Sequence, residues 1–482
     1  MGISSAFHSA ISGLTAASRA AEIVSENIAN AQTRGYARRS LSLSSNSVSP
    51  GVRILGVQRH ADPGIIANRR QSESVFGAAE TLAGFHSRIE ALVGVATDPG
   101  SISMRIADFE SSLIEAASRP DSPQRLDTAV ARASDLVQVI AAASEGLRTM
   151  RTQADTAIGV QVDQLNQALQ NVQSLNARIT ATVASGDGAA ALLDQRQMLV
   201  DEINQIVPVN VVARDHGQIA LYTDGGAILL DGLAATLSFT PVRDTMPEMK
   251  IDNMALSGLE VNGVAVRTDS RNGALRGGTL SAQFEIRDEL AISVQADLDT
   301  VARDLIERFE TASLDTTVAV GDPGLFTDAG SVFNVANEIG LAGRLSLNSI
   351  IDPDQGSESW HLRAGLGAAT PGEPGEARQI LAFTQALTER RTPGSTQLGT
   401  GQQTFAGLGT VLMSRAAQSS GQSDRALSFA AASMTEMTRI ELAQGVDTDA
   451  ELQALMIIEQ AYAANARMIE VADEMMQALL RI

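Results

Sequence analysis

Histidines and carboxylates are the side chains in this sequence that could hold a metal ion or move protons. None of the five histidines has a second histidine three or four residues away, the spacing that a helical zinc site needs; they are His8, His60, His86, His216 and His361. H-E-x-x-H and G-x-S-x-G motifs are both absent from the sequence. The acidic residues are spread along helical patterns, where a solvated face is the expected role. We therefore predict no enzyme, no metal and no cofactor.

Composition excludes other classes of function. The 482 residues carry a net charge of −20, which argues against nucleic acid as a partner because phosphate binding needs a basic face. There is no cysteine, hence no disulfide or thiol chemistry. Aromatic residues make up only 3%, which favours long packed helices over a compact enzyme core. The sequence lacks a signal-peptide pattern and a membrane-spanning stretch, so we expect any export to use a route that accepts an uncleaved chain.

The elements that matter most are the two ends of the chain. Two sets of residues recur every seven positions in the last helical stretch, 449–482: Leu455, Tyr462, Ile469 and Met476, and Ile458, Asn465, Ala472 and Leu479. The first thirty residues carry matching sets: Ile3, Ala10, Ala17 and Val24, and Phe7, Leu14, Ala21 and Ile28. This spacing is typical of a coiled coil. It predicts that the terminal helices pair with each other.

This predicted pair is rich in small and polar core residues, such as Ala10, Ala17 and Asn465. A polar core residue sets register at a cost in stability, and short isolated helices are marginal in water. One hypothesis is that the ends become ordered only when many copies pack together. A helical hairpin that closes an ordinary globular domain fits the same pattern.

Between the ends, the pattern changes from helical to alternating and back. Helical periodicity runs from Pro123 to about Ser185, on the order of 90 Å of helix, with Gly146 and Gly159 as points where it could kink or split. Short alternating runs follow Pro208, and Asn262-Gly263 is a strong hairpin signal.

We therefore predict a mainly α fold with an inserted antiparallel β domain, arranged as a nested multidomain rod. The terminal coiled-coil domain consists of residues 1–60 with 440–482. The middle layer is a long-helix bundle of 61–206 with 277–439, which contains a segment rich in loops and short strands near 315–375. The β insertion is 207–276.

Two terminal motifs resemble those of flagellar rod, hook and hook-associated proteins. Ser25 to Tyr36 contains Asn-Ile-Ala-Asn followed by Thr-Arg-Gly-Tyr, and Glu459 to Arg467 resembles the matching C-terminal motif. Three internal stretches resemble the hook–filament junction members of that family; they are Leu192–Gln197 with Leu199–Glu202, Gly277–Leu280 with Arg287–Glu289, and Trp360–Arg363. The resemblance covers most of the chain and is weakest in the β insertion.

The resemblance implies a structural adaptor that joins the flagellar hook to the filament, outside the cell, as a ring built through the terminal helices. It implies type III export without a cleaved signal peptide. The implied partners are other copies, hook protein, the second junction protein and an export chaperone. The chaperone would hold the C-terminal helix through Leu455, Tyr462, Ile469 and Leu479.

The residues expected at the assembly interface are Phe7, Leu14, Asn27, Ile28, Asn30, Thr33, Gly35, Tyr36, Leu455, Tyr462, Asn465, Ile469, Met476 and Leu479. Arg34, Arg38 and Arg39 beside Tyr36 indicate an interface or intramolecular ion pairs. Two alternatives stay open: another axial protein of the same class, such as the second junction protein or hook protein, and, more remotely, a wall-active enzyme carried on the flagellum.

Overall fold

The computed structural model describes residues 3–33, 35–45, 51–95, 97–185, 188–311, 313–352, 355–356 and 358–480. Arg34 and Ile482, and the side chain of Ile3, lie outside this description. The helices are α1 (Ile3–Ala29), α2 (Pro63–Val93), α3 (Ile102–Ser118), α4 (Pro123–Ser185), α5 (Ala190–Ile206), α6 (Gly278–Glu285), α7 (Ala291–Phe309), α8 (Leu341–Arg344), α9 (His361–Ala364), α10 (Arg378–Thr388), α11 (Phe405–Ala443) and α12 (Thr448–Leu480). The mainly helical fold class is confirmed.

The strands are short and wholly antiparallel: β1 (Arg39–Ser45), β2 (Val52–Arg59), β3 (Val209–Ala213), β4 (Ile219–Thr223), β5 (Ile228–Asp231), β6 (Leu233–Ala234), β7 (Leu237–Ser238), β8 (Leu259–Val261), β9 (Val264–Val266), β10 (Phe326–Asp328) and β11 (Leu345–Leu347). The β1–β2 hairpin lies against α1, where the Ser12 hydroxyl accepts a hydrogen bond from the Val52 N–H at 3.0 Å. Strand β1 is rich in serine, which is why the sequence pattern did not identify it.

The terminal helices α1 and α12 pair with each other, as the coiled-coil prediction required. A short turn separates α12 from α11. The Asp447 carboxylate begins α12 by accepting hydrogen bonds from the N–H groups of Asp449 (3.0 Å) and Ala450 (3.1 Å).

Helix α4 spans 63 residues without interruption, which corresponds to about 95 Å. Gly146 and Gly159 do not split it. A Cβ at Gly146 would meet Leu92 of α2 at 2.8 Å, and one at Gly159 would meet Pro241 at 3.2 Å. These glycines let neighbouring segments approach the helix closely.

The core of the helical body surrounds the N-terminal half of α4. Four phenylalanines meet there: the Phe326 ring lies 5.8 Å from that of Phe109 and 5.0 Å from that of Phe309, which lies 5.4 Å from that of Phe383. Their helices and the β10–β11 hairpin converge at one apolar centre, so the segment near 315–375 folds onto the helical body.

The β insertion packs on the C-terminal half of α4. Its sheets have the strand orders β3-β4-β5-β6 and β7-β8-β9. At the predicted hairpin, Asn262 and Gly263 have φ values of 52° and 76°, as a two-residue turn between right-twisted strands needs. The amide side chain of Asn166 on α4 exchanges two 2.8 Å hydrogen bonds with the backbone of Leu237. A polar side chain of α4 therefore binds the backbone of a strand in the β insertion.

Arg287 and Asp155 form a fully buried ion pair, with Nη1 and Oδ1 2.7 Å apart. The pair joins α4 to the continuous helical stretch Gly278–Phe309, which we call the return helix. Arg287 lies in a π-helical turn, Ile286–Leu290, and its guanidinium also contacts the rings of Phe239 and Phe284. The expectation of solvated carboxylates is wrong for Asp155, which is fully buried and accepts hydrogen bonds from Arg287 Nη1 and the Val242 N–H.

We expect Asp155→Ala to lower the free energy of unfolding by about 3–5 kcal/mol, because it leaves the Arg287 charge buried and only partly paired. Chemical denaturation checks this. The double change Asp155→Leu with Arg287→Met should recover most of the loss, since it removes both charges. A loss under about 1 kcal/mol for Asp155→Ala would contradict the buried pair.

Asp297 and Asp299 of α7 are also buried. Burial raises the pKa of Asp297 to about 6, against the attraction of Arg415. Burial also raises the pKa of Asp299 to about 6, opposed by hydrogen bonds from the Ala342 N–H, the Gln295 side chain and the Gly340 N–H. Both raised values mean that the folded chain holds these protons more tightly than the unfolded chain does.

The stability that these protons contribute is present below about pH 4 and is lost as the pH rises through about 6. We expect Asp297→Asn, which cannot lose a proton, to gain up to about 3 kcal/mol relative to the native chain between pH 4 and pH 7.5. Denaturant titrations of both chains at the two pH values measure this difference. A constant difference would show that Asp297 titrates normally.

Candidate assembly site at the terminal helices

The segment after α1 is a tight turn that directs the chain back toward the helix it has just left. The Thr33 N–H donates to the Asn30 carbonyl at 2.9 Å, and the Tyr36 N–H donates to the Thr33 carbonyl at 3.1 Å. Gly35 has a φ of +80°, and a Cβ there would lie 2.7 Å from the Met198 side chain. Both the backbone angle and the lack of space require glycine at this position.

This turn carries Tyr36 and Arg39 to the side chain of Asn27, which is fully buried. Asn27 Oδ1 accepts hydrogen bonds from the Tyr36 hydroxyl (2.8 Å) and the Arg39 N–H (3.0 Å). Asn27 Nδ2 donates to the Arg39 carbonyl (2.8 Å) and to Glu451 Oε2 (3.0 Å). One amide side chain therefore joins α1, the turn, β1 and α12.

Glu451 completes the connection from the other end of the chain. It lies in the first turn of α12, is 1% exposed, and binds Asn27 through Oε2 and Arg38 Nε through Oε1 at 2.6 Å. Glu451 belongs to neither heptad set of this helix. The structure instead makes it a buried link between residues more than 400 positions apart in the sequence.

A second layer of ion pairs anchors this link to the helical body. Asp194 of α5 accepts from Arg39 Nη2 and Arg59 Nε, each at 2.7 Å. The Arg39 guanidinium also lies 4.8 Å from the Tyr36 ring centroid. Burial raises the pKa of the Tyr36 hydroxyl, and the nearby Arg39 charge partly opposes that rise. The arginines beside Tyr36 that the structure describes are thus used in intramolecular ion pairs.

The two terminal helices run antiparallel, a direction that the heptads alone left open. Asn27 meets Glu451, and a Cβ at Gly13 would lie within 2.7–2.9 Å of the Asn465 amide group. Fourteen positions separate the two contacts on each helix (27 − 13 and 465 − 451), so both helices advance by two heptads between them. Asn465 packs against a glycine, which gives a polar residue room at a core position.

The predicted interface residues differ in how far this pair covers them. Asn27 is buried, and the half-buried ones are Phe7, Leu14, Ile28, Asn30, Gly35, Tyr36, Leu455, Asn465 and Ile469. The exposed ones are Thr33, Tyr462, Met476 and Leu479. The pair therefore leaves much of the predicted stripe on α12 open.

The sequence analysis missed a second apolar stripe on α12, which we call the outer stripe. All of its members are exposed: Ile457, Ala461, Ala464, Met468, Val471 and Met475. They also recur every seven residues (457, 464 and 471; 461, 468 and 475), so the same search in a second register would have found them. Helix α12 therefore has two adjacent apolar faces, of which α1 covers part of one.

His60 and His361 have local partners, and the histidines of the described residues do not gather into a metal site. His60 Nε2 lies 2.7 Å from the Ser40 hydroxyl, and the ring of His361 stacks on Trp360 at 3.7 Å. Burial lowers the pKa of His86. Over the described ranges, histidine, aspartate and glutamate form no group of three that could hold a metal ion. No helix in that part of the chain is both long and apolar enough to cross a membrane.

Three family profiles match the chain. The profile for the helical domain of flagellar hook-associated protein FlgK matches residues 86–325, which contain α4 and the β insertion. The flagella basal body rod profile matches 7–36, and the C-terminal profile of the flagellar basal body rod FlgEFG proteins matches 443–482. The chain belongs to the flagellar hook-associated protein family. The predicted resemblance is confirmed.

Individual proteins similar to this chain are also named as flagellar hook-associated or hook junction proteins. Flagellar hook-associated protein 1 of Escherichia coli is 28% identical over 67% of this chain and 59% of its own length. The protein of that name from Bacillus subtilis is 22% identical over 97% of this chain and 96% of its own length. The flagellar hook junction protein FlgK from Burkholderia pseudomallei, a solved structure, is 20% identical, with a TM-score of 0.44 over 55% of this chain and 47% of that one.

The match thus spans little more than half of the Escherichia coli relative's length. These relatives are named as flagellar hook-associated proteins. Their names agree with the prediction that members of this family are structural proteins of the flagellum rather than enzymes.

We expect Glu451→Ala to release the ends of the hook-associated chain from each other. Amide exchange in the last turn of α1 and the first turn of α12 should speed up by about tenfold or more, because the change removes the carboxylate that accepts from Asn27 Nδ2 and Arg38 Nε. Asp449→Ala, an exposed acid in the same turn, is the control and should have little effect. Equal acceleration by both changes would count against the buried link.

Proposed function

We propose that this chain is a structural adaptor subunit that joins the flagellar hook to the filament and assembles as a ring through its terminal helices. The observation that carries the proposal is the outer stripe of α12. Ile457 is 67% exposed, Met468 53% and Val471 49%, although α12 is already paired with α1. A run of exposed apolar side chains on one helix face marks an interaction surface, and other copies of the terminal helices are its natural cover.

The composition of the terminal pair supports assembly-dependent order. Its buried positions include Ala10, Ala16, Ala17 and Ala472, and its polar core position is Asn465. Alanine buries little apolar surface, so a two-helix contact of this kind contributes less than a leucine-rich one. We expect the pair to gain stability from contacts with further copies. The terminal coiled-coil domain, residues 1–60 with 440–482, would make those contacts.

An export chaperone fits the same helix at an earlier stage. Its proposed contacts are Leu455, Tyr462, Ile469 and Leu479, of which Leu455 and Ile469 are half-buried when α1 and α12 pair. A chaperone bound there would have to dissociate before α1 could pair with α12. This order fits export of an unfolded chain without a cleaved signal peptide. Outside the cell, the partners would be hook protein on one side and the second junction protein on the other.

Substitution of two adjacent alanines of α12 by glutamate tests the proposal that the chain assembles as a ring. Ala464 lies on the outer stripe and Ala463 on the polar face, about 100° away, and both are exposed. We expect Ala464→Glu to abolish assembly, since it places a charge between packed copies, while Ala463→Glu assembles normally. Swarm diameter of cells in which each variant replaces the native copy measures the outcome.

Both variants should unfold within about 0.5 kcal/mol of the native chain, because neither alanine is buried in the monomer. A folded Ala464→Glu chain that supports normal motility would overturn the proposed role of the outer stripe. Pull-down of the purified chain with hook protein and with the second junction protein separates this junction role from that of another axial protein.

A further inference from the structure

Strand β3 lies at the free edge of its sheet. In an antiparallel pair, alternate residues direct their N–H and C=O groups away from the neighbouring strand. The Arg214 N–H donates to the Gln218 carbonyl across the β3–β4 pair, and the Val209 N–H donates to the Asn204 side chain outside it. The backbone groups of Val211 and Ala213 therefore face away from β4, toward the open edge.

Three side chains along this edge are both apolar and exposed, those of Val211, Val212 and Ala213. Val211 is 41% exposed and Val212 38%, whereas Leu221, which pairs with Val211 on β4, is fully buried. The edge of the sheet thus extends beyond the helices that cover its centre. A groove of about 380 Å³ separates β3 from α2 and α5, and its walls include Ile66 and Val200.

A buried cation lines the same groove. Arg196 is 9% exposed, and its Nη1 donates to Asn176 Oδ1 (2.9 Å) and the Gly217 carbonyl (2.6 Å). Across the ranges that the structure describes, it forms no ion pair. The neighbouring Arg59 and Arg70 pair with Asp194 and Asp201, both of which also bind a second arginine. Burial and the charge of Arg59 lower the pKa of Arg196 to about 10.

We propose that the edge of β3 and the groove beside it bind an extended segment of a partner protein in which apolar residues alternate with acidic ones. The segment would add a strand to the sheet through the backbone of Val211 and Ala213, and a carboxylate would pair with Arg196. Addition of a strand to an exposed edge is a general mode of peptide recognition. A small anion would use Arg196 alone and leave the strand edge and its valines uncovered, so the peptide fits all three observations.

The test uses the whole chain and a capped hexapeptide of alternating valine and glutamate. We expect saturating peptide to slow amide exchange at Val211 and Ala213 by about tenfold or more, since both amides gain acceptors. The matching valine–glutamine peptide should bind about tenfold more weakly, because it lacks the charge-assisted bond to Arg196.

Two pairs of variants locate the contact. Val211→Pro removes an N–H that faces the open edge, so the chain should stay folded and lose peptide binding, whereas Val212→Pro removes one that faces β4 and should destabilise the sheet itself. Arg196→Gln should weaken binding of the glutamate peptide about tenfold, while Arg214→Gln, outside the groove, leaves it unchanged.

Three results would overturn the proposal: no slowing of exchange at β3 with millimolar peptide, equal affinity for the glutamate and glutamine peptides, or undiminished binding by folded Val211→Pro. Slowed exchange confined to residues outside β3 and the groove would also reject it. The outcome does not depend on the junction role, because every readout is taken on the isolated chain.

Discussion

A buried carboxylate connects the two ends of this chain, and the arrangement of the terminal coiled-coil domain depends on it. Glu451 is bound by Asn27 on one oxygen and by Arg38 on the other, and Asn27 in turn holds Tyr36 and the start of β1. A buried charge is tolerated only when it is paired and hydrogen-bonded. Every partner must therefore be in place together, which fixes the register of α1 against α12.

Ion pairs between an acid and arginines distant in sequence also occur in the helical body. Asp194 binds two arginines of the hairpin segment, Asp201 binds two arginines of α2, and Asp155 binds Arg287 in the return helix. Each acid lies on α4 or α5, and each arginine comes from a segment distant in sequence. In a chain with so few aromatic residues, these directional pairs specify which segments meet, and the apolar contacts around them supply the bulk of the stability.

The terminal pair and the β insertion leave different surfaces open. The outer stripe of α12 is a continuous apolar face on a helix whose other apolar face already has a partner. The edge of β3 combines unpaired backbone with exposed valines and the buried charge of Arg196. The first surface suits packing of identical helices, and the second suits an extended acidic segment, so the terminal pair and the β insertion offer chemically distinct contacts.

The sequence by itself determined the mainly helical class, the long helix, the inserted strands, the coiled-coil ends and the family. These follow from periodicity, turn chemistry and short motifs, all of which are local in sequence. Tertiary structure alone decided that the terminal helices are antiparallel, that Gly146 and Gly159 admit neighbours, and that Glu451 and Asp155 are buried. Burial of a charge depends on which distant arginine reaches it, and no local pattern encodes that pairing.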